Sequence, residues 1–393
     1  GEGIAIIPTN SEMRRNGDVH YRFRPDSDFY YLTQFPEPEA VAVLVPNREE
    51  GEFILFCRKR DPEREQWEGK RSGLENAIAE YGADQAYEIS ELESILPDLL
   101  VNQSKVYTCT GRYPDFDQQL FGWINDIKAR VRTGVHAPME FLDLTYILHE
   151  LRLFKRSEEL RVMRRAGKLS AAGHRRAMQV CRPQMHEYEV QAELEMVFMK
   201  GGSHYPAYPS IVASGENACI LHYTENQSLC RDGDLLLIDA GAELECYASD
   251  ITRTFPVNGK FSTEQRNLYE LVVAAQEAAI DNVRPGKGWR DYHNAAVEVL
   301  AQGMIEFGLL KGSLEEVLET ERYKRFYMHG TGHWLGMDVH DVGEYKVEDA
   351  WRVLEPGMAL TVEPGIYITA ADDVDSRWHN IGIRIEDDVV VGK

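Results

Sequence analysis

The sequence predicts an α+β protein of two domains, a small α/β domain followed by a larger one in which helices pack on antiparallel strands. Three observations lead there. The chain has 393 residues, 43% of them hydrophobic, more than one core normally holds. From Ile4 to about Thr110, short β-prone runs alternate with polar stretches of helical character. Beyond Ser157, long helical periodicities dominate, with strand-like runs between them.

In the first domain, Ala40–Val45, Phe53–Cys57 and Val106–Thr110 are the strand candidates and Gly73–Tyr81 a helix candidate; no catalytic pattern occurs in it. Ser157 is a plausible N-cap for a long helix, with Glu158 and Glu159 in its first turn, where carboxylates suit the helix dipole. Leu160, Met163, Gly167, Ala171 and Met178 mark its apolar face, and Arg182-Pro183 ends it. The domain boundary is therefore placed at about Leu153, dividing the chain into 1–153 and 154–393. Three more helices follow: Glu187–Lys200 before Gly201-Gly202, Ser262–Val283 opened by a Ser-x-x-Gln capping box, and Trp289–Phe307.

Lysine and arginine number 43 against 65 aspartates and glutamates, a net charge of −22. Such a field repels phosphates and anionic lipid, so neither nucleic acid nor membrane is an expected partner. The six cysteines form no C-x-x-C pair, which suggests a reducing, cytoplasmic setting. No apolar run reaches the ~18 residues of a membrane span, and the first residues lack a signal-peptide layout.

The chemistry concentrates in four stretches. Leu235–Thr254 reads as a hairpin in which Asp239 closes one strand and Asp250 opens the next, with Asp250, Thr252 and Thr254 on one face. His329–His340, HGTGHWLGMDVH, spaces three histidines by four and seven, with glycines between them that permit close backbone approach. In LTVEPG and GIRIED, Glu363 and Glu386 interrupt apolar strands; alternation pairs Thr361 with Glu363 and Arg384 with Glu386. A buried carboxylate costs several kcal/mol without a partner or a metal. Two aspartates, two glutamates and one histidine are too oxygen-rich for one ordinary zinc site, and suffice to bridge two divalent ions ~3.5–4 Å apart. Mn²⁺ suits this donor set best, with Co²⁺, Fe²⁺ and Zn²⁺ compatible on geometry.

The stretches IDAG-x₇-SDITRTFPV, HGTGHWLGMDVHDVG, LEPGMALTVEPGIYI and IGIRIEDD resemble bacterial Xaa-Pro aminopeptidase, or aminopeptidase P, a family of pita-bread metallopeptidases. YRFRPDSDFYYLTQFPEPEAV is more loosely similar to that family's N-terminal domain. The resemblance implies Asp239, Asp250, His333, Glu363 and Glu386 as ligands of two metal ions. It also implies attack of a metal-bridging hydroxide on the bond before a penultimate proline. Glu363 would shuttle the proton, and His329 and His340 would stabilise the oxyanion or move protons. His222, in SGENACILHYTEN, would seat substrate, and Arg384 would orient a ligand carboxylate. Tyr367 and His340 are expected to wall the proline. Gly332 departs from the family, where serine is frequent, and glycine should be tolerated there.

Prolidase, which shares the ligand set but cleaves only dipeptides, is the nearest rival, although HGTGHWLG favours aminopeptidase P. A methionine aminopeptidase or creatinase-like enzyme is further off. A non-catalytic pita-bread peptide-binding module would have lost ligands that are all kept here. By family analogy a homo-oligomer, dimer or tetramer, is expected. Trp67, in the charged run REQWEGKR, either reaches a neighbouring subunit's active site or tucks under its own loop.

Overall fold

The structure, a computed structural model, describes residues 3–392. Two compact units emerge, Gly1–His149 and Glu150–Lys393. Among the described residues no helix is long and apolar enough to cross a membrane.

The first unit is built on a six-stranded sheet in the spatial order Gln85–Glu88, Phe53–Cys57, Val41–Leu44, Ile4–Pro8, Lys105–Thr108, Glu140–Asp143. Its two central pairings are antiparallel, Phe53–Cys57 with Val41–Leu44 and the latter with Ile4–Pro8; the outer ones are parallel. Strand alternation explains its two cores. Ile4, Ile6, Val43, Ile54 and Phe56 face Leu96, Leu100, Leu120 and Ile124, while Ile7, Ala42 and Leu55 face Phe29, Phe35 and Leu148. The expected helix at Gly73–Tyr81 is present as Gly73–Ala79.

In the second unit, helices α1 (Ser157–Val180), α2 (Glu187–Lys200), α3 (Thr263–Ile280) and α4 (Trp289–Glu306) cover two groups of strands. Strands β1 (Ile211–Ser214), β2 (Leu235–Asp239) and β3 (Thr252–Pro256) form an antiparallel sheet ordered β3-β2-β1. Strands β4 (Ala359–Val362) and β7 (Asp387–Val390) pair, as do β5 (Gly365–Ile368) and β6 (Ile381–Arg384). A bridge from Thr252 to Glu386, with the Glu386 N–H donating to Thr252 O at 3.1 Å, ties the two groups together.

The helices bury one side of each group. Val190, Leu194 and Phe198 of α2 and Ala177 of α1 pack on Val212, Leu236 and Ile238. From α3 and α4, Leu268, Val272, Ala296 and Leu300 share a core with Leu360, Val362, Ile366 and Ile383. On β2, Leu236 and Ile238 face that first helical layer, so alternation turns Asp239 to the opposite side.

Local signals account for most boundaries. Ser262 Oγ accepts the Gln265 N–H at 3.1 Å and Gln265 Oε1 accepts the Ser262 N–H at 2.9 Å, the reciprocal capping box its spacing suggested. At α1 the cap lies one residue earlier than expected, because Glu159 accepts the Arg156 N–H at 2.8 Å and Ser157 is already helical. Asp250 precedes β3 instead of opening it, since Glu243–Leu244 and Tyr247–Ala248 form a small hairpin of their own between the two aspartates.

Candidate active site

One cavity of about 610 Å³ is lined by Asp239, Asp250, His333, Glu363 and Glu386 together with His222, His329, His340 and Arg384. The carboxylates lie on its floor, Glu386 only 1% exposed, whereas His222 and His340 are exposed at its mouth. Pro209, Ile211, Leu221 and Val339 give it an apolar wall.

Backbone geometry forces this convergence. Register sets Asp239 opposite Thr252, and the Thr252 hydroxyl donates to Glu386 Oε2 at 2.6 Å. The segment 331–333 runs alongside β4: the Thr361 N–H donates to His333 O at 2.9 Å and the Glu363 N–H to Thr331 O at 2.8 Å. Two glycines permit such approaches. A Cβ at Gly332 would fall on the carbonyl oxygen of Thr361, and one at Gly241 on that of Ser249. The glycine at 332 lets this loop lie closer to Thr361 than a side chain would allow without a shift.

His333 is held as a ligand requires. Its Nδ1–H donates to the Trp334 carbonyl at 2.9 Å, aiming Nε2 at Asp250 Oδ2, 3.4 Å away, and Glu363 Oε1, 3.6 Å away. Burial opposes its charge, yet the hydrogen bond to Asp250 and the neighbouring carboxylates lift its pKa to about 9. Burial likewise raises the carboxyl pKa values, that of Glu363 to about 7 and that of Glu386 well above the usual range. A site that holds its carboxylates so unfavourably fits cations. One ligand atom each from Asp250, His333 and Glu386 lie within 4.8 Å of one another.

Asp239 is engaged differently. Arg384 donates to its Oδ2 at 2.5 Å, and the Tyr208 hydroxyl, 2.6 Å from its Oδ1, is also in hydrogen-bond contact with Asp250. Burial keeps this phenol protonated. Tyr208 is a site residue the sequence reasoning missed, because YPAYPS has no periodicity and the contacts span 31 and 42 residues. Asp388, which accepts the Asp250 N–H at 3.0 Å, was missed too, although it continues the Arg384, Glu386 alternation.

One expected substrate contact falls elsewhere. Tyr367 is 2% exposed and is absent from the cavity wall; its hydroxyl meets His329 Nε2 at 2.8 Å and accepts from Arg384 Nη1 at 3.0 Å. Register opposite Gly382 drives its ring into a cluster with Ile211, Ala213 and Leu237, so it braces the site from behind and cannot close over a proline. His329 is correspondingly committed: Nδ1 donates to Gly330 O at 2.7 Å and Nε2 accepts from Tyr367, while burial lowers its pKa to about 4. Trp67 lies in the first unit, on the helix Pro62–Glu68, with 89% of its surface exposed. It does not tuck under its own loop.

Residues 161–393, the part that builds this cavity, match the family model of metallopeptidase family M24. The chain belongs to that family. Residues 1–107 match the aminopeptidase P N-terminal domain. The Xaa-Pro aminopeptidase of Escherichia coli K12 is 44% identical over 388 residues, covering 98% of this chain and 88% of that protein. The structure of Pseudomonas aeruginosa aminopeptidase PepP superposes with a TM-score of 0.98 at 56% identity, covering 100% of this chain and 89% of that one. Zn-substituted E. coli aminopeptidase P in complex with product gives 0.96 at 44% identity, covering 100% and 89%. With the α+β, pita-bread fold shared and a carboxylate-rich cluster in place, this M24 chain is a metal-dependent aminopeptidase. Neither the dipeptidase nor the non-catalytic alternative is favoured.

Proposed function

We propose that the chain releases the N-terminal residue from peptides with proline at the second position, with Asp239, Asp250, His333, Glu363 and Glu386 holding two divalent ions, Mn²⁺ foremost. The observation that carries this reading is the convergence of those five side chains, from four separate stretches, on one cavity. Bound divalent cations lower the pKa of water toward neutrality and polarise a carbonyl. The chain's own groups supply the rest. Glu363, on the cavity wall with its Oε1 3.6 Å from His333 Nε2, would take a proton from the attacking water and return it to the leaving nitrogen. Arg384 fixes Asp239 and, through Tyr367, the ring of His329. With both nitrogens of His329 occupied, His222 and His340 at the mouth are the histidines available to substrate.

Proline makes its preceding amide tertiary, so the subsite needs a shaped wall and no acceptor for an N–H. The apolar face of Leu221 and Val339 beside the two exposed histidines meets that need. A cytoplasmic setting is supported by the six free cysteines, and a homo-oligomer by the exposed Trp67. Incubation with a ladder of Xaa-Pro and Xaa-Ala peptides, read by mass spectrometry, tests the specificity. Release of the first residue only where proline follows is expected; indiscriminate release refutes it. A monomer by light scattering at micromolar concentration would end the oligomer expectation.

A further inference from the structure

Between His329 and His333 the chain runs Gly330, Thr331, Gly332, so Thr331 supplies the only side chain by which the loop between the two histidines can be anchored. That side chain turns away from the cavity. It is 1% exposed, and its Oγ1 lies 2.8 Å from His293 Nδ1 on α4 and 2.6 Å from the hydroxyl of Tyr327. A hydroxyl has one proton and two lone pairs, so it can serve both partners at once, accepting from one and donating to the other. At the same residue the carbonyl faces the other way and accepts the Glu363 N–H at 2.8 Å. Tyr327 itself is fully buried and its ring meets that of His329 edge-on, centroids 4.9 Å apart.

We propose that His293 and Tyr327, acting through the Thr331 hydroxyl, are positioning residues that fix the His329–His333 loop and thereby the backbone of Glu363. The proposal rests on the aminopeptidase reading for its consequence in catalysis, but not for its geometry. The physical argument is one of missing alternatives. Glycines on both sides leave the loop high backbone entropy, and beside the backbone bonds of 331–333 to β4 the buried Thr331 hydroxyl with its two partners is the side-chain restraint within it. Removing that hydroxyl also leaves His293 Nδ1 and the Tyr327 hydroxyl without their shared partner, so the loss is that of a network and not of one bond.

The test compares Thr331→Val, His293→Leu and His293→Gln with the parent chain, the glutamine retaining an amide able to hydrogen-bond the hydroxyl. Backbone hydrogen exchange of peptides spanning 329–335 and 359–366, read by mass spectrometry, should quicken about tenfold in the leucine variant, the change expected for one net hydrogen bond, and by more in the valine variant, which loses both bonds of the hydroxyl. In the glutamine variant it should return toward the parent rate. On an Xaa-Pro-Yaa tripeptide, kcat should fall by a similar factor with KM and metal content nearly unchanged. Parent-like exchange and kcat in both folded variants would overturn the proposal. If the parent chain hydrolyses no tested peptide, the substrate reading fails, while the exchange comparison still decides the anchor: unchanged protection refutes it and lost protection supports it. Should Thr331→Val not fold, His293→Leu and its rescue by His293→Gln carry the same decision.

Discussion

Replacing Glu363 by glutamine in the metal-free chain should make the catalytic unit more stable at alkaline pH and leave it little changed in acid. Burial raises the Glu363 pKa from its ordinary 4.5 to about 7. A carboxyl that binds its proton more tightly folded than unfolded stabilises fully below the unfolded value, and that contribution is lost as pH rises through the folded one. The rise corresponds to about 3 kcal/mol, most of it lost between pH 5 and pH 8. Glutamine keeps the shape and does not titrate, so the difference between variant and parent reports this carboxyl together with its interaction with His333 and Glu386. Urea unfolding in the presence of chelator, followed by tryptophan fluorescence at pH 5 and pH 8, measures it. The variant should gain roughly 2–3 kcal/mol on the parent between the two pH values, and Mn²⁺ should remove the parent's deficit by neutralising the carboxylates. A variant-minus-parent difference that does not change with pH would refute the burial argument.

Asp250→Asn should abolish hydrolysis and lower bound metal without unfolding the chain, because an amide is a poorer ligand; metal analysis beside circular dichroism checks it. His174 is buried with Nε2 on the Ala240 carbonyl at 2.9 Å, and burial lowers its pKa from 6.5 to about 4. Its neutral form is favoured in the fold, so this contribution is present above pH 6.5 and is lost as pH falls toward 4, about 3 kcal/mol in all, and His174→Gln should flatten that acid limb of the stability curve. Asp341 accepts from Arg152 at 2.6 Å and from Lys155 at 2.8 Å, all three buried. Asp341→Ala takes the carboxylate from buried Lys155 and one from Arg152, which keeps Asp338, and should cost about 3–5 kcal/mol in denaturant unfolding. Gly241→Ala should cost about 1–3 kcal/mol and reduce activity, because the new methyl displaces the Ser249 carbonyl.

The parts of the site that follow strand alternation were legible in the sequence. Thr361 and Glu363 share a face, their hydroxyl and carboxylate 3.3 Å apart, and Arg384 and Glu386 are both buried at the site, as a period of two requires. Groups that reach the site through space left no periodic trace: Tyr208 from an irregular turn, and His293, through Thr331, from a helix whose pattern announces only its core face. Tyr367 was misplaced for a different reason. Spacing from Glu363 put it near the cavity, but the Pro364-Gly365 break and pairing with β6 reset which way the strand faces. The end of α1 and the capping box of α3 were readable because caps are local chemistry, whereas the small hairpin between Asp239 and Asp250 depended on Glu245 and Cys246 adopting positive φ, which neither residue type signals.

The most direct test of the account is the rate of one Mn²⁺-loaded preparation on three peptides: Xaa-Pro-Yaa, the dipeptide Xaa-Pro, and Xaa-Ala-Yaa. The shaped subsite and the open cavity mouth predict the highest kcat/KM for Xaa-Pro-Yaa, a lower value for the dipeptide and negligible cleavage of Xaa-Ala-Yaa. Faster cleavage of the dipeptide, or comparable cleavage of the alanine peptide, would contradict it.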